Sequence, residues 1–190
     1  MIYQGLAQPP ATDLHYARHW LLLGCFTVVL AVLNRLHLFD RPFASFAMYG
    51  ALHALALVLA LRSPKPLCRK CLFVAIAAFL SMVTLCVGIA GRPLIGSHPG
   101  SWGLYALLGL SSATGALTYG ILIRLCWVRT LTWGWLATIS SSCMLATFLA
   151  FFTLNQFPLL GRWWLAALWW YTLSGGLWLC EKRQGHLPLA

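Results

Sequence analysis

Long apolar stretches without a single Asp or Glu, divided by short segments that hold nearly all the charge, constrain this chain more than any motif in it. A bilayer hydrocarbon core about 30 Å thick is crossed by about 20 mostly apolar residues in a helix. Six runs meet that requirement: Trp20 to Phe39, Phe43 to Leu61, Cys71 to Ala90, Trp102 to Ile123, Leu131 to Leu154, and Trp163 to Cys180. The chain is 61% hydrophobic and 8% charged, against about 25% charged residues in soluble domains. The expected fold is therefore all-α: one polytopic transmembrane domain over residues 1–190, built as three helical hairpins, with no soluble domain. Asn34 and Arg35 interrupt the first run, and Arg35 must reach toward a headgroup region.

Direction follows from the basic residues, which accumulate on the cytoplasmic side of membrane proteins. With six crossings one side carries Arg18, Arg62, Lys65, Arg69, Lys70, Arg124, Arg129, Lys182 and Arg183, and the other carries Arg35, Arg41, Arg92 and Arg162. Nine against four places both termini in the cytoplasm, and the high basicity and compactness of the chain point to a plasma membrane of prokaryotic type. The basic loop with Arg62, Lys65, Arg69 and Lys70 then lies against anionic inner-leaflet lipid. Nucleic acid is not the expected partner, because the positive charges form no stripe with interleaved aromatics. The first run lacks a signal-peptide cleavage pattern and is expected to stay as its own insertion signal.

The intramembrane polar residues are the candidate functional set. His53 lies in the second run, where an ionisable group is costly and marks a functional hypothesis. Tyr49, one turn earlier, is its expected hydrogen-bond partner, and no second histidine or carboxylate is expected at matching depth. A structural, hydrogen-bonded His53 competes with a solute or gating role and with cofactor ligation. Ser111, Ser112, Thr114, Thr118, Ser141 and Ser142, with Thr138 and Ser140, form a polar cluster on the fourth and fifth runs. Within it Ser112, Ala116 and Gly120 recur every four residues, as do Ser142, Ala146 and Ala150, a spacing that lets helix backbones approach closely. Packing of these two helices on each other competes with a subunit interface and with a narrow polar pathway. Trp169 and Trp170, in the middle of the last run, present an aromatic surface to lipid, another subunit or a hydrophobic ligand.

Several chemistries are disfavoured. His15 and His19 are four apart but lack a third ligand, and are expected on an interfacial helix before the first span. Cys68 and Cys71 have redox or zinc spacing without the partners either use would need, and the seven cysteines do not form a disulfide framework. Gly109-Leu110-Ser111-Ser112 departs from the rhomboid protease motif in its final residue, and the last run has no histidine to activate a serine. No phosphate-binding glycine loop or paired carboxylate is present. No catalytic, metal or cofactor site is therefore assigned. The expectation is a non-catalytic membrane subunit that assembles with partner membrane proteins or with itself. The alternative is a small channel or transport component for a neutral or anionic solute.

Overall fold

The computed structural model describes residues 14–36, 42–61, 66–95, 102–127, 131–156 and 163–184. They form six α-helices: α1 (Tyr16–Arg35), α2 (Pro42–Ala60), α3 (Leu67–Ile95), α4 (Trp102–Cys126), α5 (Trp133–Gln156) and α6 (Trp163–Gln184). Beyond them the described residues hold one isolated antiparallel bridge, Leu14 to Leu61. The fold is all-helical, and four helices are long and apolar enough to cross a membrane, over Tyr16–Leu33, Leu67–Gly88, Ala106–Cys126 and Trp133–Thr153. In α2 the apolar stretch, Ala44–Ala60, has 17 residues. In α6 the apolar character is diluted by Tyr171, Thr172, Ser174 and the polar last turn from Glu181.

Helix ends follow local chemistry. Pro42 opens α2, where its fixed φ fits and its missing N–H would have had no helical partner. The Thr132 hydroxyl accepts from the Trp135 amide at 3.4 Å, at the start of α5. Basic residues occupy the last turns of α1, α4 and α6, where the helix dipole favours them. Two helices differ in their boundaries from the sequence reading. Arg35 is the last residue of α1 rather than an interruption within it, and α1 starts at Tyr16, a turn earlier than expected. The other is α3, which is 29 residues long and includes Cys68 at one end and Pro93 at the other. Pro93 lies in its last turn, where it forgoes one backbone bond instead of breaking the helix mid-span.

Each helix packs on its neighbours in sequence, and α6 packs on α1, so the bundle closes into a ring. Antiparallel pairing is visible in individual contacts. The His15 amide donates to the Ala60 carbonyl (2.8 Å), and the Trp164 indole donates to the Thr153 hydroxyl (3.0 Å). Helices α2 and α3 approach closely at Gly50, where a Cβ would meet Ser81 Oγ and stand 2.6 Å from the Ala77 carbonyl. Inside the ring Phe73, Tyr119, Ile123, Leu136, Ile139, Leu173 and Leu177 form one core cluster. Leu23, Leu30, Tyr49, Ala56, Ala166 and Trp170 form a second. Outside, Leu21, Val28, Phe79, Leu110, Leu145 and Phe152 are exposed, the surface hydrocarbon solvent accommodates.

Candidate functional site

The interior of the ring holds a buried chain of four polar side chains from four helices. His53 of α2 is fully buried. Its Nδ1 is 3.0 Å from the Tyr119 hydroxyl of α4, and its Nε2 is 3.0 Å from Ser174 Oγ of α6. The same Ser174 oxygen is 2.9 Å from Nε2 of His19 on α1. His19, His53 and Ser174 each have no exposed surface, and Tyr119 is 1% exposed.

Hydrogen-bond supply limits the tautomers this chain can hold. A neutral imidazole has one N–H and one lone pair, and a hydroxyl can both donate and accept. If Tyr119 donates to His53 Nδ1, then His53 Nε2–H donates to Ser174 and Ser174 donates to His19 Nε2. His19 then carries its proton on Nδ1. That nitrogen has no hydrogen-bond partner among the described residues. In the reverse direction the Tyr119 proton would lack an acceptor within the chain, and His19 Nδ1 would be an acceptor without a donor. Of these two the first leaves fewer groups unsatisfied, and Ser174 Oγ can also accept from both imidazoles, so the serine is the shared centre of the chain in every arrangement.

Aromatic rings wall the chain. The His53 and His19 ring centroids are 5.8 Å apart, edge to face. Trp169 and Trp170 lie 6.0 and 6.1 Å from His53, and Trp169 also meets Tyr119 at 5.8 Å. Trp20 stacks on Tyr171 at 5.8 Å with ring planes 7° apart, beside the α1–α6 closure.

This geometry corrects several expectations. His53 is not solitary, because His19 belongs to α1 and turns into the core instead of lying on an interfacial helix. The partners of His53 are Tyr119 and Ser174 rather than Tyr49, which is buried and touches Phe46 at 5.7 Å. Trp170 is 1% exposed, so Trp169 and Trp170 form the wall of the polar chain, not an outward aromatic surface. His15, by contrast, is exposed, and its Nδ1 accepts from the Arg18 amide at 3.3 Å.

The hydroxyl cluster divides. Ser112 donates to the Cys143 carbonyl (3.1 Å) and accepts from Thr147 (2.6 Å), joining α4 to α5. Ala116 and Gly120 share that face, and a Cβ on Gly120 would stand 2.6 Å from Leu136. On α5 the facing register is Leu136, Ile139, Ser140, Cys143 and Ala150. Ser141 and Ser142 are exposed, one step away from that register, while Ala146 is half-buried. Ser111 is buried without a hydrogen-bond partner. Thr114 and Thr118 bond to carbonyls of their own helix, at 2.9 and 3.0 Å. These hydroxyls therefore do not line one continuous path. Arg62 and Lys65 lie outside the described residues, whereas Arg69 and Lys70 occupy the first turn of α3.

Among the described residues no three His, Cys, Asp or Glu side chains form a metal-binding group. Cys68 and Cys71 are exposed free thiols. The fold and its buried chain define a helical membrane protein with a polar core. Comparison with family models, curated proteins and solved structures gives no match.

Proposed function

We propose that the protein is a six-span component of a prokaryotic plasma membrane, both termini cytoplasmic, that acts as a non-catalytic subunit assembling with partner membrane proteins. The orientation is supported by the antiparallel order, which gathers Arg18, Arg69, Lys70, Arg124, Lys182 and Arg183 at one end of the bundle and Arg35 and Arg92 at the other. The assembly reading rests on one observation about α5. Gly134, Thr138 and Ser142 recur every four residues on its exposed face, and Ser141 and Ser142 make no hydrogen bond among the described residues. Lipid offers those hydroxyls nothing, whereas a second small-residue helix face offers both close approach and acceptors. Replacing Thr138 and Ser142 together with Leu tests this. Partner or oligomer co-purification in mild detergent is expected to be lost while the unfolding midpoint holds, and unchanged assembly would overturn the reading.

A second reading, a small transport component for a neutral or anionic solute, draws support from the buried His53 chain. It predicts solute flux in proteoliposomes that His53→Gln alters without loss of folding. Absence of flux from the unmodified protein removes it.

A further inference from the structure

The basic end of the bundle lays its cations on tryptophan rings. Arg69 stands over Trp127 at 5.6 Å, Arg124 over Trp133 at 4.8 Å, Lys182 over Trp178 at 5.1 Å and Arg183 over Trp135 at 5.9 Å. One corner of this rim, between the start of α3 and the turn from α4 to α5, differs from the rest. There Arg124 Nη1 and Trp127 Nε1, one helical turn apart, are buried N–H donors without an acceptor among the described residues. Arg69, on the ring of that same Trp127, makes a long bond of 3.4 Å to the Cys126 carbonyl and, among the described residues, no other side-chain hydrogen bond. Six described cations share this end with a single described carboxylate, Glu181 of α6. The start of α3 adds a positive helix-dipole end.

We propose that Arg69, Arg124 and the indole N–H of Trp127 form a binding site for the phosphate of an anionic phospholipid headgroup. Guanidinium groups match phosphate oxygens in geometry and charge, and a fixed indole donor adds direction. Free phosphate offers the same oxygens. The lipid is the occupant argued for because exposed apolar side chains flank the donors: Leu67 at 75%, Leu72 at 60% and Leu125 at 67% exposure. Those side chains suit an acyl chain and have no use in binding a soluble anion. The site rests on the membrane placement proposed above and is independent of any protein partner.

The test uses the full chain in detergent, with native mass spectrometry reading bound dioleoylphosphatidylglycerol, dioleoylphosphatidylcholine or inorganic phosphate. One phosphatidylglycerol per chain is expected to be retained with about tenfold preference over phosphatidylcholine, and millimolar inorganic phosphate is expected not to displace it. Arg69→Gln and Arg124→Gln should each weaken retention about tenfold, while Arg183→Gln at the same rim should leave it unchanged. Trp127→Phe keeps an aromatic ring beside Phe73 while removing the N–H and part of the ring, so it tests the site if the arginine variants unfold. Equal retention of both lipids, displacement by inorganic phosphate, or equal weakening by Arg183→Gln would overturn the site. Release of the chain from membranes by alkaline carbonate would instead overturn the membrane placement itself.

Discussion

His53 and His19 share one hydroxyl: the Ser174 oxygen lies 3.0 Å from Nε2 of the first and 2.9 Å from Nε2 of the second. Ser174→Ala therefore strands two buried imidazole nitrogens at once. Tyr119→Phe strands only Nδ1 of His53. An unsatisfied buried group costs about 1–3 kcal/mol, and single bonds inside membrane proteins are worth about 0.6 kcal/mol on average. Tyr119→Phe should thus lower unfolding stability by about 1 kcal/mol, and Ser174→Ala by more. Denaturant titration in micelles measures both, and a smaller effect for Ser174→Ala would contradict the bridging role.

Trp170 and Trp178 lie two turns apart on α6 with opposite fates, the first 1% and the second 39% exposed. Replacing a buried Trp with Ala costs about 3–5 kcal/mol. Trp170→Ala should accordingly abolish or sharply reduce recovery of folded protein, and Trp178→Ala should remain near the parent. Size-exclusion profiles of the two variants separate these outcomes.

Close approach at Gly50 makes a comparable contrast. A methyl there would press on Ser81 Oγ and on the Ala77 carbonyl, which is backbone and cannot swing away, whereas a methyl at Gly134 meets nothing nearer than Thr132 Oγ1 at 3.9 Å. Gly50→Ala is expected to destabilise by about 1–3 kcal/mol through overpacking. Gly134→Ala should be neutral or slightly stabilising, by up to about 1 kcal/mol, because Ala is the better helix former. Thermal unfolding in one detergent compares them.

Cysteine labelling reports the orientation. Cys68 and Cys71 are exposed in the first turns of α3, at the basic end, while Cys143 and Cys180 are buried. A membrane-impermeant maleimide should modify Cys68 and Cys71 in inside-out vesicles and spare them in intact cells. The opposite pattern would invert the proposed topology.

Helix number and most boundaries were legible because each apolar run except the third is nearly as long as the helix it forms, α3 extending past Cys71 and Ala90 at both ends. Which face turns inward was not. In lipid the outside is as apolar as the core, so a helix that is hydrophobic all round carries little directional signal. That is why Trp169 and Trp170 read as an outward surface and why, on α5, Ser142 was placed in the contact register with Ala150, where Ser140 and Cys143 stand instead. Placing His19 outside the bundle had another cause. The polar run from His15 to His19 resembles an interfacial segment, and only the spacing of His19, Leu23 and Leu30 along one face points to burial. Ser174 and Tyr119 escaped notice because a lone hydroxyl on an apolar helix is unremarkable until a second helix supplies its partner.

Because α6 is made after α1 to α5 and closes the ring on α1, both histidines are synthesised before their common hydroxyl exists. A nascent chain that has produced five helices holds two imidazoles with open valences in an apolar medium. Quality-control proteases that survey the membrane for exposed polar groups should therefore distinguish chains that have received α6 from chains that stop short of it.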